Sequence, residues 1–259
     1  VGGIFAASLL AGRLLQPLET LSSGWGVARD AWRALARVWH TPPPAGTIHG
    51  EGAPPVLAKL TTGIEALHAF AGARPGLPPA IRDVTMSVAP GEALGIMGPV
   101  GSGKSTLLKL LAGVSPAVEG SMRMDGVDPW KANGAAPRVA YLAQTPGFLP
   151  GSLLENITGF EASPDLGALA DVLARSGVQS VVSRLPEGLD TRLDEAGRPL
   201  SEGERQLVAV ARVLYERAPV LALDMPETAA GPDAEAVVAR AIADTTSAGG
   251  AVLIASHSP

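Results

Sequence analysis

The chain has 259 residues, of which 46% are hydrophobic and 17% charged, so it can bury a sizeable core and does not have the composition of a disordered protein. Its formal charge of −5 and the lack of any Lys/Arg-rich run argue against a dedicated nucleic-acid-binding protein. It has no cysteine, which excludes disulfide scaffolds, thiolate metal sites and cysteine nucleophiles.

The first forty residues predict two helical features. Residues 1–12 carry no charge, and the apolar stretch continues past Arg13 to Leu15. Because a bilayer span needs about 20 apolar residues, we expect the end of a transmembrane helix that began before Val1. The alternative is a buried helix of a soluble core. Apolar residues then recur at spacings of 3 and 4, which predicts one long helix with an apolar face: Leu18, Leu21, Trp25, Ala28, Trp32, Leu35 and Trp39.

A Pro/Gly-rich stretch separates this region from the rest. Residues 41–55 include five prolines and three glycines, a composition typical of a linker. We therefore expect the end of a membrane domain with its helical extension at 1–40, a linker at 41–56 and a globular domain at 57–259.

The globular part contains a phosphate-binding motif in its expected context. Residues 84–88 alternate as in a strand, 93–97 form a short apolar strand predicted to be buried, and 107–111 begin an apolar helix. Between the last two lies a glycine-rich P-loop: Gly98, Pro99, Val100, Gly101, Ser102, Gly103, Lys104, Ser105 and Thr106. A chance glycine turn is the alternative to this interpretation.

Each residue type in this loop suits a triphosphate. Glycines let main-chain N–H groups turn toward phosphate oxygens, and the helix N-terminus adds partial positive charge. Lys104 is placed to reach the β- and γ-phosphates, and the Ser105 hydroxyl to ligate Mg²⁺. Asp224 ends a second apolar strand at 220–223, which favours a Walker-B carboxylate for the same Mg²⁺. The guanine-reading Asn-Lys-x-Asp motif is absent from the sequence, which argues against a GTPase.

Four further motifs give the chain a resemblance to the ATPase domains of ABC transporters, over residues 57–259. Residues 200–206 (LSEGERQ) resemble the signature sequence, 141–144 (YLAQ) the Q-loop, 191–197 (TRLDEAG) the exporter X-loop and 255–257 (ASH) the switch-histidine strand end. The resemblance implies a mainly parallel α/β P-loop core, an antiparallel β piece around the P-loop and a helical subdomain at roughly 150–215. The family continues beyond the histidine strand, so we expect the chain to be truncated at its C-terminus.

The N-terminal part, together with the stretches QTPGFLPGSLLENI and EGLDTRLDEAGRPLSEGERQ, resembles type I secretion exporters of the protease and haemophore kind. This implies an ATP-driven motor at the bacterial inner membrane with its nucleotide-binding domain in the cytoplasm. The implied partners are a second protomer, a periplasmic adaptor, an outer-membrane channel and an exported protein, with no nucleic acid. A soluble ABC ATPase acting on DNA or ribosomes is disfavoured by the apolar start.

The same resemblance implies roles for individual residues. The P-loop and Asp224 would bind Mg·ATP within one protomer, while Ser201 and Gly203 would contact the γ-phosphate held by the other. Gln144 would contact Mg²⁺ or the attacking water, and His257 the γ-phosphate region. Phe70 is the nearest candidate to stack on adenine; packing in the core is its alternative.

The sequence also departs from the family at three places. Met225 stands where the family has the glutamate that polarises water, and Glu227 is separated from that position by Pro226. Glu202 and Glu204 replace the Gly and Gln of the signature. Ser201 and Glu204 are spaced as a capping box. The Glu202 carboxylate would face the phosphates of an ATP bound at this helix start. Gly231 replaces an aspartate. These departures predict normal Mg·ATP binding with slow hydrolysis, and an ATP-binding pseudoenzyme is the alternative to an active motor.

Overall fold

The computed structural model describes residues 60–72, 78–131, 138–224 and 232–256. The predicted membrane segment, helical extension and linker lie outside these residues, as do Met225, Glu227, Gly231 and His257. Within the described ranges, no helix is both long and apolar enough to cross a bilayer.

An antiparallel sheet of three strands comes first. Its order is β2-β1-β4, with β1 at Ile64–Ala71, β2 at Ile81–Val88 and β4 at Glu119–Met124. Every buried side chain of β1 is apolar and lies toward the core, whereas Glu65 and His68 are exposed. This sheet is the antiparallel piece that the family resemblance implied.

A parallel sheet of four strands forms the centre of the domain, in the order β3-β9-β8-β5. Its strands are β3 at Ala93–Met97, β5 at Val139–Leu142, β8 at Val220–Asp224 and β9 at Ala251–Ser256. All of β8 is buried, as the apolar run before Asp224 predicts. Because the strands are parallel, their carboxyl ends lie at one edge of the sheet, where ligands of such sheets bind.

The prediction that Ala93–Met97 is a buried strand was wrong. Its side chains alternate between exposed and half-buried, and Met97 is 60% exposed. The reason is the sheet order, since β3 pairs with β9 on one side and forms an edge of the described sheet.

Helices cover the sheets and form a subdomain. Helix α1 (Lys104–Leu111) packs its apolar face between the two sheets, against the core that holds Ile64, Met124 and Leu253. Four helices, α2 (Leu153–Thr158), α3 (Leu166–Ser176), α4 (Val178–Arg184) and α5 (Glu202–Glu216), share a separate apolar core. They match the predicted helical subdomain at 150–215. Helix α6 (Pro232–Ser247) returns to the parallel sheet.

Two short elements complete the subdomain. Strands β6 (Gly151–Ser152) and β7 (Arg192–Leu193) pair antiparallel, and a 3₁₀ turn covers Gly188–Asp190. Ser152 caps α2 through a capping box with Glu155, whose pKa is lowered mainly by the main-chain hydrogen bond from Ser152.

Candidate nucleotide-binding site

The P-loop runs from the carboxyl end of β3 into the first turn of α1. Gly101 and Gly103 have φ values of 81° and 94°, a left-handed conformation that residues with a Cβ rarely adopt. A Cβ on Gly103 would also lie 2.9 Å from Ile81 Cδ1. Gly103 is the N-cap of α1, and no side chain there accepts a hydrogen bond from the helix N–H groups. The start of α1 therefore keeps main-chain donors for an anion.

Lys104 lies inside this loop rather than in solvent. It is only 6% exposed, and its Nζ donates hydrogen bonds to the carbonyl oxygens of Gly98 (2.8 Å) and Pro99 (3.0 Å). A lysine held against the main chain of a glycine loop fits the role of a positive charge for phosphate oxygens. Val100, at the tip of the loop, is 85% exposed.

Asp224 joins the loop to the centre of the sheet. The Ser105 Oγ donates to Asp224 Oδ1 at 2.8 Å, although 119 positions separate the two residues. Asp224 is 4% exposed and ends β8, next to the neighbouring strands β5 and β9. The two residues predicted to hold the same Mg²⁺ therefore lie in direct contact, and their role toward the metal ion stays a prediction.

Tyr141 is a third member of this cluster that the sequence did not identify. Its hydroxyl donates to Asp224 Oδ2 at 3.1 Å, and it lies on β5 opposite Ala222 of β8. Burial, followed by the charge of Asp224, raises the pKa of the Tyr141 hydroxyl, so it stays a proton donor at neutral pH. The signal was a single polar residue on the otherwise apolar strand VAYL.

The residues of this cluster fit a magnesium ion bound together with phosphates. Mg²⁺ prefers oxygen ligands and is usually held by one or two carboxylates plus substrate phosphates. Asp224 and Ser105 supply a carboxylate and a hydroxyl oxygen within 2.8 Å of each other. Among the described residues, no group of three or more His, Cys, Asp or Glu side chains is arranged for a metal ion.

Gln144 follows β5 at the same edge of the sheet and is exposed. Its main-chain carbonyl accepts a hydrogen bond from Gln206 Nε2 at 3.0 Å. Three residues farther along, the same segment is held by Arg212, whose guanidinium donates to the carbonyl of Gly147 at 2.9 Å and lies over the Phe148 ring. The sequence pattern predicted a role for Gln144 but indicated none for Gln206 or Arg212.

The signature segment begins α5 with the capping box that its sequence predicts. The Ser201 Oγ accepts from the main-chain N–H of Glu204, and the Glu204 carboxylate accepts from the N–H of Ser201 at 2.8 Å. Glu204 also pairs with Arg184 of α4 at 2.7 Å. The main-chain bond, with help from Arg184, lowers the pKa of the Glu204 carboxyl. Glu204 is thus turned back toward its own helix, whereas Glu202 is exposed.

Ser201 and Gly203 lie at this helix start, exposed and half-buried respectively.

Phe70 is half-buried on β1, between Ala69 and Ala71, which point into the core. A Cβ on Gly72 would lie 2.7 Å from Thr106 Cγ2, so the end of β1 abuts the P-loop helix. The roles of Ser201, Gly203 and Phe70 toward a nucleotide stay predictions, as does that of His257.

Comparison with known proteins agrees with this geometry. The family model described as "ABC transporter" matches residues 81–228, which is more than half of the chain. The chain belongs to the ABC transporter family. Its matched region includes the P-loop, the Q-loop, the signature segment and Asp224.

Several relatives in the ABC transporter family match more of the chain. The type I secretion system ATP-binding protein PrsD of Rhizobium meliloti is 33% identical over 100% of this chain and 44% of its own length. The cyclolysin secretion/processing ATP-binding protein CyaB of Bordetella pertussis is 30% identical over 99% of this chain and 36% of its own length. The mycobactin import ATP-binding/permease protein IrtB of Mycolicibacterium smegmatis is 38% identical over 63% of the chain and 29% of its own length.

The chain spans less than half the length of these curated relatives. A solved structure of a bacterial Atm1-family ABC exporter with ATP bound covers 99% of this chain and 45% of its own, with a TM-score of 0.68 and 21% identity. That similarity shows a shared fold.

Proposed function

We propose that this chain is the ATP-binding and ATP-hydrolysing motor part of an ABC exporter for type I protein secretion. The observation that carries the proposal is the convergence of Lys104, Ser105 and Asp224 at one edge of the parallel sheet. A buried ammonium, a hydroxyl and a buried carboxylate at the start of a helix are the groups that a triphosphate and its magnesium ion require.

Each of these residues has a defined task in the proposed site. The P-loop N–H groups and Lys104 bind the phosphates, and Ser105 and Asp224 hold the metal ion. When bound, Mg²⁺ supplies positive charge that offsets the charge on the phosphate oxygens. Gln144 lies at the same sheet edge and is proposed to face the metal ion or the water.

The secretion part of the proposal is supported by relatives. PrsD and CyaB, which match nearly all of the chain, are described as ATP-binding proteins of secretion systems. Accordingly we place the whole transporter in the bacterial inner membrane, with this domain in the cytoplasm and a second protomer beside it. A periplasmic adaptor, an outer-membrane channel and an unfolded protein substrate complete the proposed assembly.

A second candidate function is favoured by one feature of the sequence. Met225 follows Asp224, and a thioether cannot accept a proton from water as a carboxylate does. The chain would then bind ATP and act as a regulatory or structural half of a transporter, with slow turnover or none.

Nucleotide binding by the purified chain tests what both candidates share. We expect a fluorescent ATP analogue to bind with Mg²⁺, and Lys104→Met to weaken that binding by at least about tenfold because a charged phosphate contact is lost. Lys109→Met is the matched control, since Lys109 lies exposed in the same helix. Wild-type protein that is folded but retains no nucleotide would overturn the proposed function.

Export is tested in cells that produce the full transporter. We expect the Lys104→Met variant to stop the appearance of the secreted protein in the medium, while Lys109→Met leaves it unchanged. Normal secretion by a Lys104→Met transporter would show that nucleotide binding here does not drive export.

A further inference from the structure

Two hydroxyl groups from different parts of the fold hold the two oxygens of Asp224. Ser105 Oγ of α1 donates to Oδ1 at 2.8 Å, and Tyr141 OH of β5 donates to Oδ2 at 3.1 Å. A single hydrogen bond would leave the carboxylate free to rotate about its Cβ–Cγ bond. Two donors on opposite oxygens fix the plane of the carboxylate.

The pairing of the strands explains how Tyr141 reaches this carboxylate. Tyr141 stands opposite Ala222 in the parallel pair β5–β8, and Asp224 is two residues farther along β8. Residues two apart point to the same face of a strand, so Ala222 and Asp224 share a face. Since Ala222 has a small side chain, the long ring of Tyr141 can extend along this face to the end of β8.

The hydrogen bond between Tyr141 and Asp224 is shielded from water. Asp224 is 4% exposed and Tyr141 is half-buried, so water is a poor substitute for a lost donor. Groups that hydrogen-bond to a metal-ligating carboxylate orient it, and their loss commonly weakens metal binding by about 10- to 100-fold.

We propose that Tyr141 is a positioning residue of the magnesium site, which acts by fixing the orientation of the Asp224 carboxylate. The inference rests on the proposed function, because it concerns the same site. Tyr141 touches neither nucleotide nor metal in this role, and its contribution is confined to the metal-dependent part of binding.

The test measures metal dependence without turnover. Binding of a fluorescent ATP analogue to the purified chain is followed as Mg²⁺ is increased from zero, for wild type and Tyr141→Phe. We expect the Mg²⁺ concentration for half-maximal binding to rise about tenfold in Tyr141→Phe. Binding with EDTA should be unchanged, since the P-loop and Lys104 are intact. Tyr141→Phe removes a single oxygen, and thermal unfolding confirms that the variant is folded.

The sequence offers a matched control, because Tyr215 is the only other tyrosine. Its hydroxyl is also hydrogen-bonded, to Glu161 at 2.8 Å and to the main-chain N–H of Asp165, within the helical subdomain. We expect Tyr215→Phe to leave the Mg²⁺ dependence at the wild-type value. A Tyr215→Phe shift as large as that of Tyr141→Phe would overturn the proposal.

A second pair of variants tests whether Tyr141 acts through Asp224. In an Asp224→Asn background, adding Tyr141→Phe should change the Mg²⁺ dependence by less than twofold, because the group that Tyr141 orients is already altered. A further tenfold shift would overturn the proposal, as would equal Mg²⁺ dependence of wild type and Tyr141→Phe. In both cases the proposed function stands, whereas wild type that binds no nucleotide overturns the function and this role together.

Discussion

Gln206, in the second turn of the signature helix α5, donates its side-chain amide to the main-chain carbonyl of Gln144 at 3.0 Å. Arg212 on the same helix donates to the carbonyl of Gly147 at 2.9 Å. The segment that follows β5 is thus fastened at two points to the helix that starts at the signature. A displacement of either element has to break these bonds or carry the other element with it.

The first prediction concerns this fastening. Gln206 is 7% exposed, so Gln206→Leu keeps the volume but leaves the Gln144 carbonyl without this donor. We expect a loss of about 1–2 kcal/mol in the free energy of unfolding, measured by urea denaturation. Gln179 is exposed on α4, and Gln179→Leu should change stability by no more than about 0.5 kcal/mol. Equal stabilities of the two variants would contradict the assignment.

The second prediction concerns Met225. Restoring a carboxylate by Met225→Glu should raise the steady-state rate of ATP hydrolysis by roughly 100-fold or more, because general-base help contributes about 10²–10⁴ in rate. Met225→Gln has a similar size without a basic carboxylate and should leave the rate unchanged. Phosphate release by the purified proteins measures both. If Met225→Glu hydrolyses ATP no faster than wild type, then Met225 is not the cause of slow hydrolysis.

The third prediction concerns the exposed charge at Glu202. If the signature of one protomer meets the nucleotide of another, this carboxylate repels the phosphates, and Glu202→Gln removes the repulsion. We expect the ATP concentration for half-maximal dimerisation to fall on the order of tenfold, measured by light scattering with Mg²⁺. Glu187→Gln makes the same charge change at an exposed position of the same subdomain. An equal response to both variants would mean that net charge, rather than position, matters.

The fourth prediction is a pH dependence at the end of α5. Burial raises the pKa of Glu216 from 4.5 to about 7, although the positive charges of Arg138 and Arg212 oppose the shift. The folded protein therefore binds this proton more tightly than the unfolded chain. The resulting stabilisation is complete below pH 4.5 and is lost as the pH rises through about 7.

Glu216→Gln stays neutral and removes this dependence. Between pH 5 and 8, wild type should lose roughly 2 kcal/mol of stability relative to Glu216→Gln, a value reduced from the full shift because the residue is partly exposed. Urea unfolding of both proteins across this range measures the difference, with Glu187→Gln as the exposed control. Parallel pH profiles of wild type and Glu216→Gln would contradict the raised pKa.

Local patterns in the sequence were enough to predict the P-loop, the Walker-B strand and the capping box at Ser201. Each depends on residues that are close in the chain, so the physical constraint lies within one segment. The alternation at residues 84–88 predicted a strand for the same reason, and β2 contains it.

Contacts between distant segments could not be predicted in this way. The Tyr141–Asp224 and Gln206–Gln144 hydrogen bonds join residues 83 and 62 positions apart. The first exists because β5 pairs with β8, and the second because α5 packs against β5. The same limit explains the error at β3. Its apolar residues indicated a buried strand, but exposure depends on which strands flank it, and that is a property of the whole sheet.

Helices α1 and α5 begin in opposite ways. The start of α1 has no side-chain cap, whereas the first turn of α5 is closed by Ser201 and Glu204. In a symmetric pair of protomers, each nucleotide would contact two helix starts. One, at α1, keeps its main-chain N–H groups available, and the other, at α5, is already capped by its own side chains. The nucleotide would then be bound tightly by the P-loop of its own protomer and weakly by the signature segment of the other protomer. The two protomers could therefore separate while each kept its nucleotide bound.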